Sequence, residues 1–141
     1  LHFVRRRQRQ MCIRDRRKTV GMASIIAMEP DVVVLDEPTT GQDYLGIKAI
    51  RTAIKKLKEQ GKTVIVVSHD MPLVAEDTDR VLVMCDTELI FDGTPSKLFA
   101  SNEILSKTNL LPPQITSFTQ KVGLNTEGES VLSVDEAEKA L

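Results

Sequence analysis

One short segment constrains the fold of this chain more than any other feature: four consecutive apolar residues are followed at once by two acids. Residues 32–35 read Val-Val-Val-Leu, and Asp36 and Glu37 come directly after them. A run of β-branched residues without alternating polar positions is typical of a strand covered on both faces, as in a parallel sheet. We therefore predict a buried parallel strand that delivers two carboxylates to one edge of an α/β fold.

A helix and a second apolar strand follow the two acids. Asp43 is suited to cap the helix, and Gly61 is suited to end it. Residues 63–67 read Thr-Val-Ile-Val-Val and lead directly to His69. A strand, a helix of about four turns and another buried strand predict one right-handed crossover unit with parallel strands. The helix carries one apolar stripe, formed by Ile47, Ile50, Ile54 and Leu57.

The rest of the chain changes from strands to short helices. We predict a short helix at 72–76, strands at 80–84 and 88–91, and a turn at 92–95 that begins a helix ending near residue 100. Residues 101–141 are interpreted as a helical extension with helices at 104–111, 113–122 and 134–141. Its apolar residues could pack against the core or against another subunit: Ile104, Leu105, Leu110, Leu111, Ile115, Phe118 and Val122.

Charge and composition exclude several classes of protein. Residues 1–18 carry a net charge of +7, and the remainder carries −8. A basic arm is typical of nucleic-acid or anionic-lipid partners, but this one has a single aromatic residue, Phe3, and no helical stripe, so no nucleic-acid partner is expected. No apolar run approaches the ~18–20 residues of a membrane span, so any membrane link is expected to go through a partner. Two cysteines, Cys12 and Cys85, are too few for a disulfide framework.

The residue types at the two strand ends suit phosphate chemistry. Ligands of open α/β sheets bind beyond the carboxyl ends of the strands. An aspartate there can hold the magnesium ion that neutralises phosphates, and the carboxylate after it can accept a proton from an attacking water. His69 could contact a terminal phosphate oxygen. Two plainer interpretations remain open: a polar strand end that caps a loop, and an ordinary surface histidine.

Two stretches together resemble known motifs. Residues 35–43, Leu-Asp-Glu-Pro-Thr-Thr-Gly-Gln-Asp, and residues 66–70, Val-Val-Ser-His-Asp, resemble the Walker B, D-loop and H-loop motifs of ABC ATPases, which are P-loop NTPases. The resemblance implies ATP and Mg²⁺ as ligands, with Asp36 holding the metal through water. It further implies that Glu37 polarises the attacking water and that His69 contacts the γ-phosphate. Asp43 would communicate with a second ATPase subunit across a nucleotide-sandwich dimer.

Within that family, the sequence Asp-Glu-Pro-Thr-Thr-Gly-Gln-Asp and the helical extension resemble those of the ATPases of energy-coupling factor importers. Those importers take up vitamins and transition-metal ions such as cobalt or nickel. The resemblance implies transmembrane partner subunits and a peripheral place on the cytoplasmic face of the cell membrane. Two alternatives stay open: a soluble ABC ATPase of DNA repair or translation, and a catalytically dead chain that only folds or pairs.

The sequence also departs from the family in three ways. It contains no Gly-x-x-x-x-Gly-Lys-Ser/Thr loop, no glutamine loop before a signature motif, and no Leu-Ser-Gly-Gly-Gln, whose place is held by residues 12–16. We therefore expect a truncated, C-terminal part of an ATPase that alone neither binds nor hydrolyses ATP appreciably. Residues 1–16 are interpreted as non-native sequence or a divergent basic arm, 17–100 as the C-terminal part of the ATPase domain, and 101–141 as the helical extension.

Overall fold

The computed structural model describes residues 20–124 and 129–140. The expectations for residues 1–16, including Cys12, fall outside the described residues. The chain divides into two units, of which the first ends at His69 and the second begins at Asp70.

The first unit contains the strand–helix–strand arrangement expected from the sequence. Strands β1 and β2 pair in parallel, from Val32 opposite Thr63 to Asp36 opposite Val67. The α/β fold class and its crossover helix are thus confirmed. The elements of this unit are α1, described over residues 20–26, β1 (Val32–Asp36), α2 (Tyr44–Glu59) and β2 (Thr63–Val67).

Capping hydrogen bonds set both ends of helix α2. The Asp43 side chain caps its N-terminus, and the Gln60 amide closes its C-terminus by donating to Lys56. Gly61 follows with φ of +75°, a left-handed conformation that glycine adopts without steric cost. The helix buries three of the four predicted stripe residues, Ile50, Ile54 and Leu57.

The prediction that β1 is covered on both faces is wrong for the described chain. Val33 and Leu35 are buried, but Val32 and Val34 are 54% and 60% exposed. Ile65 and Val67 of β2 are also about half exposed. Successive side chains of a strand point to opposite faces, and the described elements of this unit cover only one of them. An apolar run indicates that both faces of a strand can be buried, but whether both are buried depends on which other segments pack against the strand.

The second unit combines a hairpin with helices. Strands β3 and β4 pair antiparallel, with an irregularity between Val83 and Met84, and the connecting Asp86 and Thr87 adopt positive φ values. Phe99 and Leu98 are almost fully buried and belong to its apolar core. Its elements are α3 (Met71–Asp77), β3 (Val81–Cys85), β4 (Glu88–Gly93), α4 (Pro95–Ala100), α5 (Asn102–Thr108), α6 (Gln114–Val122) and α7 (Val134–Ala140).

The predicted apolar stripe of residues 101–141 separates into two sets. Leu105 is buried in the core of the second unit, and Ile104 and Leu110 pack against it. Leu111, Phe118 and Val122 are instead exposed. No helix in the described ranges 20–124 and 129–140 is long and apolar enough to span a membrane.

A bidentate ion pair at the start of the hairpin predicts a specific pH dependence. Arg80 Nε and Nη2 donate to the two carboxylate oxygens of Asp92 at 2.7 and 2.6 Å, and these bonds lower the pKa of Asp92. A carboxylate whose pKa is lower in the folded state than in the unfolded state stabilises the fold at pH values above its unfolded pKa of about 3.9. This stabilisation is lost as the pH falls through the folded pKa. We expect Asp92→Asn to reduce the free energy of unfolding at pH 7 and to have little effect near pH 2, measured by urea denaturation. Asp135→Asn is the control, since Asp135 has no ion pair with any described residue; a reduction by Asp92→Asn that is equal at both pH values would contradict the prediction.

Candidate functional site

The register of β1 and β2 creates the site. Asp36, the last residue of β1, lies opposite Val67, the last residue of β2. The ladder continues one residue further, because the Glu37 amide donates to the Val67 carbonyl at 2.8 Å. The residues that follow each strand therefore meet at the same edge of the sheet, where ligands of parallel sheets bind.

At this edge Glu37 and His69 contact each other directly, although 32 positions separate them in the sequence. Glu37 Oε1 lies 2.7 Å from His69 Nδ1 and accepts the His69 backbone N–H at 3.2 Å. Glu37 Oε2 accepts the Thr40 hydroxyl at 3.0 Å. One carboxylate thus joins the loop after β1 to the loop after β2.

The backbone at Glu37 is unusual for a residue with a side chain. Its φ of +45° lies in the left-handed region, which non-glycine residues rarely adopt. This conformation ends the extended strand abruptly at the point where the carboxylate contacts His69. Strain of this kind persists where surrounding contacts determine the conformation, and it clusters at functional sites.

The hydrogen bonds at the edge set the charge of Glu37. The His69 side chain lowers the pKa of Glu37 most, desolvation acts in the opposite direction, and the Thr40 hydroxyl lowers the pKa further. The Glu37 side chain is about one-third exposed, whereas that of His69 is 78% exposed. Because Nδ1 faces a carboxylate, we place its proton there, which leaves Nε2 directed to other partners.

Asp36 fits a role in magnesium binding. Its carboxylate is exposed at the same edge and makes no hydrogen bond with a described residue. Mg²⁺ keeps several waters and is held through one or two carboxylates together with substrate phosphates. Within the described residues no group of three or more His, Cys, Asp or Glu side chains could hold a metal ion. An exposed carboxylate at this edge is a donor of the type that Mg²⁺ accepts, and the assignment of the ion to Asp36 stays a prediction.

Asp43 has a structural role that the sequence predicted. Its Oδ1 accepts the Gly46 amide at 2.7 Å and caps α2. Gly46 lies in the first turn of α2, where an added Cβ would come within 2.7 Å of Gln42 Oε1, the end of a flexible side chain that can move aside. Communication of Asp43 with a second subunit stays a prediction.

The structure thus brings Asp36, Glu37 and His69 to one edge and places Asp43 at the start of α2. Sequence reasoning missed Thr40, which bonds directly to Glu37. A hydroxyl three residues after a carboxylate, in a segment rich in turn residues, was the available signal. It is a weak signal, since Thr side chains in turns usually bond to nearby backbone.

Comparison with known proteins identifies relatives of the chain. It is 42% identical over 144 aligned positions to a putative ABC transporter ATP-binding protein of Methanosarcina mazei, covering 100% of this chain and 24% of the relative. It is 41% identical over 124 positions to an energy-coupling factor transporter ATP-binding protein of Caldanaerobacter subterraneus, covering 85% of this chain and 44% of the relative. The chain therefore spans less than half the length of these relatives.

A solved structure of an ABC transporter component is also similar to this chain. CbiO1 of Clostridium perfringens, described as part of the ABC transporter complex CbiONQ, matches with a TM-score of 0.55 and 36% identity. The match covers 75% of this chain and 43% of CbiO1. No protein-family model matches the chain.

The contact between Glu37 and His69 predicts a local change in amide protection. In Glu37→Ala the His69 amide loses its carboxylate acceptor, so we expect its hydrogen exchange to accelerate on the order of tenfold, measured by NMR. Asp36→Ala is the matched control, because it removes the adjacent carboxylate, which does not bond to His69. Equal acceleration in both variants would show that the strand ends loosen generally and that the bond itself contributes little.

Proposed function

Since this chain belongs to the ABC transporter ATP-binding family and spans part of the length of its relatives, we propose that it is the region of an ATP-hydrolysing transporter subunit that activates water and holds magnesium. One observation carries the proposal. Glu37 and His69 bond at 2.7 Å at the carboxyl edge of two parallel strands, with the exposed Asp36 beside them. In this assignment residues 17–100 are the C-terminal part of the ATPase domain, and residues 101–141 are a helical extension.

Each of the three side chains has a distinct task in this proposal. Asp36 holds Mg²⁺ through water, and the ion, when bound, neutralises the charge of the phosphates. Glu37 accepts the proton of the attacking water, because a fixed carboxylate at the end of a strand can act as a general base. His69 contacts the terminal phosphate through the ring nitrogen that faces away from Glu37.

The chain supplies only part of what ATP hydrolysis requires. Its sequence lacks a Gly-x-x-x-x-Gly-Lys-Ser/Thr loop, so the backbone amides that cradle phosphates must come from residues that this sequence does not contain. Magnesium and terminal-phosphate contacts do not position a nucleotide by themselves. The proposal therefore concerns the chain as part of a larger ATPase.

The transporter is proposed to be an importer of the energy-coupling factor type. The similarity to energy-coupling factor ATP-binding proteins supports this class. Such a subunit would work with a second ATPase subunit and with transmembrane subunits, at the cytoplasmic face of the membrane. Asp43, at the start of α2, would communicate with the second ATPase subunit.

Exposed apolar residues on α6 and just before it, which we call the apolar stripe, support pairing of subunits. Leu111, which precedes the helix, is 79% exposed, and Phe118 and Val122, one helical turn apart on α6, are 59% and 53% exposed. The same helix buries Thr116 and Thr119 instead. A helix that turns apolar residues outward and threonines inward is typical of an interaction surface. We assign this stripe to contact with the second ATPase subunit.

The catalytic assignment predicts different defects for the two neighbouring acids. In the polypeptide encoded by the complete gene, Glu37→Gln keeps size and hydrogen bonding but removes the proton acceptor. We expect hydrolysis to fall by ~10²–10⁴ while ATP affinity is retained. Asp36→Asn should weaken magnesium-dependent ATP binding itself, because it alters the carboxylate that serves the ion.

Turnover and binding are measured separately, by phosphate release and by calorimetry with and without magnesium. His69→Ala should resemble Glu37→Gln by retaining binding while slowing turnover. Hydrolysis by Glu37→Gln near the parent rate would refute the catalytic role and leave the acids as a structural strand end.

The pairing assignment predicts a crosslink between subunits. In a background with Cys12 and Cys85 replaced by serine, Phe118→Cys in the complete polypeptide should form a disulfide or bismaleimide crosslink between two ATPase subunits. Glu103→Cys, exposed on α5 but outside the stripe, is the control and should crosslink less. Crosslinking of Phe118→Cys between subunits that is no greater than that of Glu103→Cys would favour an internal packing role for α6.

A further inference from the structure

The two carboxylate oxygens of Glu37 are held by different segments of the chain. Oε1 is bonded by the backbone and ring nitrogens of His69, which follows β2. Oε2 is bonded by the hydroxyl of Thr40, which lies in the loop after β1. Bonds at one oxygen alone leave the carboxylate free to rotate about its last side-chain bond. A donor at the second oxygen fixes the plane of the group.

The loop after β1 presents the Thr40 hydroxyl to this oxygen. Glu37 turns the chain with its positive φ, and the Thr40 amide then donates to the Glu37 carbonyl at 3.3 Å. The turn continues through Gly41, whose φ is +73°. Thr40 is also β-branched, which restricts the rotation of its side chain. Backbone and side chain together therefore direct the hydroxyl towards the carboxylate before any ligand arrives.

We propose that Thr40 is a positioning residue for hydrolysis, which orients the carboxylate of Glu37 towards the attacking water. The inference rests on the proposed role of Glu37 as proton acceptor. A general base is effective only when its lone pair points at the proton that it removes, so geometry precedes basicity. Thr40 contributes by restricting the carboxylate to one plane, and it acts through Glu37 without contacting the substrate.

A structural role for the hydroxyl makes different predictions from a positioning role. If Thr40 only stabilised the turn, its loss would lower the stability of the loop whether or not Glu37 carried a proton acceptor. A positioning role acts through Glu37, so it must disappear when Glu37 can no longer act as a base. Coupling between the two positions separates the two roles.

The experiment uses the complete polypeptide with four single variants and one double variant. Thr40→Val removes the hydroxyl with little change in shape, and Thr40→Ser retains it. Thr52→Val is the matched control. The Thr52 hydroxyl lies outside the site and donates to the Lys48 carbonyl within α2. Glu37→Gln and the double variant Glu37→Gln with Thr40→Val complete the cycle.

We expect Thr40→Val to lower kcat about tenfold with the KM for ATP changed by less than about twofold. Thr40→Ser and Thr52→Val should retain kcat near that of the parent. In the Glu37→Gln background, Thr40→Val should cause no further loss. The His69 amide resonance should shift in Thr40→Val and return towards the parent position in Thr40→Ser, since both residues bond to the same carboxylate.

Other outcomes overturn the inference in distinguishable ways. An unchanged or faster kcat in Thr40→Val, together with a large loss in Glu37→Gln, would refute positioning by Thr40 and leave the proposed function intact. An equal loss from Thr40→Val in both backgrounds would assign the hydroxyl to the structure of the loop. Parent-like hydrolysis by Glu37→Gln would instead refute the proposed function. If Thr40→Val does not fold, loss of kcat in Thr40→Ala without loss in Thr40→Ser supports the inference, and equal kcat in the two overturns it.

Discussion

The parallel register between β1 and β2 is the constraint on which the site depends. Because side chains alternate along a strand, a slip of one residue would exchange the buried and exposed faces of β1. The observed register places Asp36 opposite Val67 and carries Glu37 to within bonding distance of His69. The burial of Val33 and Leu35 therefore fixes the chemistry at the strand ends, since the same register that covers these side chains aligns the acids with the histidine.

Helix α2 makes this register possible, and its start belongs to the same loop as the site. The loop from Glu37 to Asp43 contains a strained residue, a glycine at positive φ and a capping aspartate. Each of these features restricts the backbone, and together they leave the loop few alternative conformations. The Glu37 carboxylate and the capping Asp43 are therefore held by one short segment between β1 and α2.

The second unit shows a different relation between sequence and burial. Helix α6 buries two threonines, because the Thr116 hydroxyl donates to the Val131 carbonyl and that of Thr119 to the Thr116 carbonyl. A buried hydroxyl without a partner would be costly, and these bonds remove that cost. Ser96 and Ser130 exchange further bonds between α4 and the segment before α7. Polar contacts thus hold the segment around residue 130 against α4 and α6 and leave the apolar stripe of α6 facing outward.

The sequence alone determined the strand–helix–strand arrangement of residues 32–67 and the edge at which the acids lie. The apolar run at 32–35, the stripe of α2 and the cap at Asp43 are local patterns, and local patterns specify strands, helices and their ends. Only the tertiary structure decided that Glu37 bonds to His69 and Thr40, that one face of β1 and β2 is exposed, and that α6 turns its threonines inward. Those outcomes depend on the pairing of segments distant in sequence, on a left-handed turn and on partners that periodicity does not reveal.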